Sequence, residues 1–148
     1  MPYNPNLGTT VIRPPAALGA AANHNIFTIT GVIVITNIQG RVVTTAMDAT
    51  PSTLILTHTV APTNLCTAVA AIANNIVGTI YNITGVLANA MFITDQTTAG
   101  VVATAAFMIP IFGMAGSIYY TNSGAQIGVV QWEISYRPFT SNGLVVAV

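Results

Sequence analysis

The side chains in this chain that can do acid–base, nucleophilic or metal chemistry are few enough to take together. They are Arg13, His24, Arg41, Asp48, His58, Cys66, Asp95, Glu133, Arg137 and five tyrosines. A metal site needs several His, Cys or carboxylate ligands that converge, usually at short spacings. His24 and His58 are far apart, and no HxH, HxxxH or CxxC pattern occurs. His58, alone in a Thr-rich segment, reads as a hydrogen-bonded structural residue. Cys66 sits among Ala and Val, the setting of an inert buried thiol rather than an activated one. Asp48 and Asp95 fall in turn clusters, where Asp serves Asx hydrogen bonding. A carboxylate pair for glycoside hydrolysis would have to draw on those turns or on Glu133. No GxSxG elbow, GxxxxGK[ST] loop or GxGxxG loop is present. Asn82-Ile83-Thr84 has the form of a glycosylation sequon, which has meaning only in a secreted eukaryotic protein. These residues support no enzyme, no metal and no cofactor.

The elements that carry these side chains must fold almost without charge. Of 148 residues, three are Lys or Arg (all arginine) and three Asp or Glu, the net charge is zero, and 53% are apolar types. An ordinary domain has about a quarter of its residues charged. Nucleic-acid binding needs a basic footprint that three arginines do not supply. Disordered chains are poor in apolar residues, and one cysteine makes no disulfide scaffold. The length suits one domain. Its surface must then be built from Thr, Asn, Ser, Gln, Gly and Ala. A neutral monomer with such a surface tends to associate, whereas obligate interfaces tolerate it because they resemble a core cut in half. The composition therefore predicts that other chains cover much of this surface.

Membrane insertion is the rival explanation for the high hydropathy. The best span, residues 100–116, is shorter than a spanning helix requires and is broken by Pro110 and Gly113. No Lys or Arg flanks it, and the first residues have no signal-peptide pattern. No membrane partner is expected.

Pro2, Pro5, Pro14 and Pro15 make residues 1–22 an extended arm, either a frayed terminus or a strap that docks on a neighbouring subunit through Tyr3, Val11, Ile12 and Arg13. Residues 23–148 read as a single β domain. Val, Ile, Thr and Tyr dominate it, and turn residues recur at short intervals. Strands are expected at 26–30, 32–38, 41–47, 53–60, 76–83, 86–94, 101–109, 117–121, 128–137 and 144–148. Leu65, Val69, Ile72 and Ile76 follow a helical spacing with Asn64 placed as an N-cap, which predicts one short helix over 65–74. The fold class is all-β: an antiparallel sandwich or barrel-like domain with at most one short helix and an extended N-terminal arm.

Residues 27–33 echo residues 81–87 in the pattern aromatic, polar, Ile, Thr, Gly, Val, aliphatic. Gly31 and Gly85 then fall at bulges or sharp bends. Along 129–137 the alternation is clean: Val130, Trp132, Ile134 and Tyr136 face one way, and Gln131, Glu133, Ser135 and Arg137 the other. Trp132, Tyr119, Tyr120 and Tyr136 read as packing rather than as a sugar platform. Val32–Ile35 and Leu54–Leu56 are apolar on both faces, as for a sheet with a second sheet on one side and a subunit on the other. Glu133 and Arg137, about 13 Å apart along the strand, do not pair within it. They are isolated solvated charges, or each meets the opposite charge of a neighbouring chain.

The C-terminal third carries a resemblance. Gly116-Ser117-Ile118-Tyr119-Tyr120, followed by Gly128-Val129-Val130-Gln131-Trp132-Glu133-Ile134-Ser135-Tyr136-Arg137-Pro138-Phe139 and an apolar ending at Val148, resembles small virion proteins of tailed bacteriophages. Those proteins show a G-S-I strand and then G-x-V-x-W-x-x-x-Y-x-P-hydrophobic. They often carry Lys beside the Trp and acids in the last turn, where this chain has Gln131 and Ser141-Asn142. The resemblance implies a capsid decoration, or cement, protein. Such a protein is β-structured, often trimeric, sits on the outer capsid surface of the virion, and stabilises the lattice of the major capsid protein by burying interfaces. Its candidate interface residues here are Tyr3, Val11, Ile12, Arg13, Tyr119, Tyr120, Glu133 and Arg137, with itself and the major capsid protein as partners. The alternatives are a head-fibre or tail module that binds a receptor, and a small membrane protein such as a holin.

Overall fold

A computed structural model describes residues 8–67, 72–94 and 108–148. Among these residues twelve strands follow one another: β1 (Thr9–Ile12), β2 (Ala16–Gly19), β3 (Asn23–Thr30), β4 (Ile33–Val42), β5 (Leu54–His58), β6 (Thr63–Asn64), β7 (Ile80–Asn82), β8 (Phe92–Thr94), β9 (Ile111–Gly113), β10 (Gly116–Asn122), β11 (Gln126–Pro138) and β12 (Leu144–Ala147). They form two antiparallel sheets. The first has seven strands in the order β1-β11-β4-β7-β8, with β2 also on β11 and β9 also on β4; the second has five, β12-β3-β10-β5-β6. The fold is an all-β sandwich.

The longer strands alternate between the sheets, so the chain repeatedly crosses the core. Gly31 makes one crossing, from β3 to β4, with a φ of 68°, and Gly85 lies at a bend with a φ of 80°. A side chain is strained in that left-handed region, which is why glycine stands at both sites of the sequence echo. The bend at Gly31 is tied down from the other end of the chain: Val32 N–H donates to Thr140 Oγ1 at 2.9 Å, and Phe139 N–H donates to Val32 O at 2.9 Å.

Between the sheets lies one core. The seven-stranded sheet contributes Ile33, Ile35, Ile38, Val42, Tyr81, Val130, Trp132, Ile134 and Tyr136; the five-stranded sheet contributes Ile26, Phe27, Ile29, Leu54, Leu56, Ile118, Tyr120 and Val145. Burying each aliphatic or Phe side chain is worth about 1.5–3 kcal/mol. The alternation expected on 129–137 holds: Val130, Trp132 and Ile134 are fully buried and Tyr136 nearly so, while the intervening residues are half-exposed. Trp132 faces Gly40 on β4, where a Cβ would lie 2.8 Å from the indole ring.

Bulges shift the alternation within β3 and β4. Ile118 pairs with Phe27 and Tyr119 with Asn25, so Ile26 is an extra residue in β3, and Ile26 and Phe27 are both buried. Ser135 pairs with Asn37 and Tyr136 with Ile35, so Thr36 is extra in β4, and Thr36 and Asn37 both stay on the outer side. Each inserted residue reverses the phase of everything after it.

Several expectations are corrected. The break expected after Ile38 is absent: β4 runs unbroken through Gly40, because the Trp132 ring fills the space over that glycine. Strand structure on the expected 41–47 segment stops at Val42, and the strand expected over 76–83 contracts to β7. Only Phe92–Thr94 of 86–94 is strand. Residues 101–107 of the expected strand 101–109 lie outside the described residues, and Met108 and Ile109 are not strand. The expected helix has no helical residue on either side of 68–71, which lie outside the described residues. Asn64, expected as its cap, belongs to β6 and accepts a hydrogen bond from Thr57 Oγ1 at 3.0 Å.

Candidate interaction surfaces

Among the described residues, the chemistry-bearing side chains do not converge. His58 is buried at the inner end of β5; Val60 N–H donates to its Nδ1 at 3.1 Å, so its Nε2 carries the proton and donates to Met114 O at 3.0 Å. Both ring nitrogens are thus spent on backbone, as expected of a structural histidine. His24 stacks on Tyr120 with ring centroids 4.8 Å apart. Burial pushes the Cys66 thiol pKa up. Asp48 caps its own turn, accepting from Thr50 N–H at 2.8 Å, and this bonding holds its pKa low. Asp95 lies outside the described residues. Asn82 of the formal sequon is buried in β7, with its amide donating to Gln39 Oε1, so it is not presented for modification.

The eight candidate interface residues fall into different settings. Tyr3 lies outside the described residues. Val11 faces Ile134 and packs on the core, whereas Ile12, beside Glu133, is exposed. Arg13 turns back on its own chain: its Nε donates to Val148 O at 2.7 Å and its N–H to Trp132 O at 2.8 Å. Tyr120 is corrected: it is 1% exposed, stacks on Trp132 and donates to Leu18 O at 3.1 Å, so it cannot meet another chain. Burial also pushes its phenol pKa up. Tyr119 is half-buried on the outer side of the five-stranded sheet. Glu133 and Arg137 share the outer side of β11. The described part of the arm joins its own domain, with β1 and β2 both paired to β11.

Charge is divided unequally between the two outer sides. Arg41, Glu133 and Arg137 all lie on the seven-stranded sheet. Across it, Gln39 Nε2 donates to Glu133 Oε1, and Thr10 bonds Ser135 between hydroxyls at 2.8 Å. The outer side of the five-stranded sheet carries Asn23, Asn25, Thr28, Thr30, Thr57, Ser117, Tyr119, Thr121, Leu144 and Val146, with no charged residue among them.

Of the apolar margins, sequence reasoning picked out only Ile12. On one side of the sandwich β1 lies against β12, and Ile12, Leu144, Val146 and Val148 are each at least half exposed. On the other, β9 faces the β5–β6 hairpin around a pocket of about 180 Å³. Val60, Leu87, Phe112 and Met114 form its exposed rim, with Ile35, His58 and Leu65 deeper. Phe112 meets Phe139 edge-on at 5.1 Å, and both are more than 60% exposed.

Among the described residues, no helix is long and apolar enough to cross a membrane. Comparison with protein families, with curated proteins and with solved structures finds no match for this chain.

Proposed function

We propose that this chain is a structural subunit of a larger protein assembly, and that the assembly is a virus capsid which it decorates on the outer surface as a homo-oligomer. The observation that carries the assembly reading is the exposed surface. Fifteen large apolar side chains among the described residues are at least 38% exposed, in a chain with six charged residues to keep it dispersed. Scattered exposed apolar residues are ordinary, but here Ile12, Leu144, Val146 and Val148 gather on one margin of the sandwich and Val60, Leu87, Phe112, Met114 and Phe139 on the other. Association would bury apolar surface that a dispersed chain leaves in water. The capsid as destination rests on the resemblance of Gly116–Phe139 to virion proteins of tailed bacteriophages.

Sedimentation velocity of the purified chain tests the assembly reading, with an oligomer expected at micromolar concentration. A monomer persisting to millimolar concentration overturns it. Electron microscopy of capsids incubated with the chain tests the destination: added density is expected where capsid subunits meet, and bare shells overturn the decoration role.

A further inference from the structure

We propose that the outer side of the seven-stranded sheet docks on the same side of a second copy of this chain about a twofold axis, with Glu133 of each copy facing Arg137 of the other. This inference rests on the assembly reading and adds the surface, the symmetry and the pairing residues.

Three observations support it. First, this is where the charge is. Arg41, Glu133 and Arg137 stand on this face, whereas the five-stranded sheet presents hydroxyl, amide and aliphatic groups that specify no orientation. Among the described residues, Glu133 and Arg137 have no ion-pair partner in their own chain. Second, their spacing is self-complementary. The extra residue of the nearby bulge belongs to β4, so β11 stays regular, and Glu133 and Arg137 lie at equal distances on either side of Ser135. A twofold axis in the interface plane, across the strand at Ser135, lays β11 antiparallel over its copy. It thereby brings both opposite-charge pairs together at once, as an isologous contact requires. Face-packed sheets are rotated by about 30°. Each charge is about 6–7 Å from the axis, so the rotation displaces it by only about 3–4 Å, within the reach of an arginine side chain. Third, the face is continuous. Its two long strands, β11 with 13 residues and β4 with ten, lie side by side and carry all three charges, and β1 and β7 continue the face on either side. Ile12 and Phe112 flank the charged pair on β1 and β9 and add apolar contact.

Like charges facing each other across an interface oppose association strongly. The test is sedimentation velocity on the full chain carrying E133R or R137E, with circular dichroism to confirm the fold. Each variant alone is expected to self-associate at least about tenfold more weakly. An equimolar mixture of the two should regain wild-type association within about threefold, because each mixed pair restores opposite charges at both contacts. Wild-type association should also weaken with added salt. Should either charge reversal fail to fold, Glu133→Gln and Arg137→Gln take its place. Glu133→Gln keeps a side chain able to bond Gln39, and both are expected to remove the salt dependence. Variants that associate as wild type does, or a mixture that fails to recover, overturn this interface while leaving the assembly reading in place. A wild-type chain that stays monomeric overturns both.

Discussion

Gly40 and Trp132 show how one residue pair fixes a region of this fold. The indole lies flat over a position that has no side chain, and three ring carbons would be within 2.9 Å of a Cβ placed there. Neither the ring nor the central strand beneath it has room to move. Gly40→Ala is therefore expected to destabilise the chain by about 1–3 kcal/mol, read as a lower urea midpoint with unchanged slope. A second expectation concerns pH. Burial raises the pKa of both Cys66 and Tyr120 in the folded chain. The folded state then holds these protons more tightly than the unfolded state, so stability is full below the unfolded values and falls as pH rises past them. The urea midpoint should decline from about pH 8 upward, and Cys66→Ala should remove the earlier part of that decline. The same burial makes the native thiol unreactive towards a disulfide reagent until denaturant is added.

Among the elements, β1 and β2 change the meaning of the arm. Their residues suggested a strap available to neighbouring subunits, yet both strands complete the chain's own seven-stranded sheet. Leu18 is fully buried, and its carbonyl accepts the Tyr120 hydroxyl. Leu18→Ala is expected to cost about 2–5 kcal/mol in urea unfolding; no loss would mean that this segment is frayed. Deleting residues 1–22 would strip two strands from β11, so loss of capsid binding in that variant would not separate attachment from folding. The stretches most legible in the sequence were those without insertions. Residues 129–137 alternate cleanly because β11 is the regular partner at the β4 bulge. The bulges at Ile26 and Thr36 were hidden because an extra residue has no type of its own; it is defined only by the strand opposite. The helical spacing at Leu65, Ile72 and Ile76 misled for a related reason. Leu65 and Ile72 do reach the core, but burial in an irregular segment leaves the same trace in a sequence as a helix face.

For the whole molecule, the β-rich texture between recurrent turns set the fold class, and the scarcity of charge set the expectation of an assembly. Val, Ile and Thr in short runs between turns can bury enough apolar area only as packed sheets, and six charges cannot cover the outside. These conclusions depend on composition and local order, which a sequence states directly. Only the tertiary structure decided which residues share a face. It buried Tyr120, turned Arg13 back onto Val148, gathered Phe112, Met114, Val60 and Leu87 around one pocket, and placed Arg41, Glu133 and Arg137 on one sheet while leaving the other uncharged. Each of these juxtapositions joins strands distant in sequence across a ladder or a core. Register and bulge position set the pairing, and both are properties of two strands rather than of one.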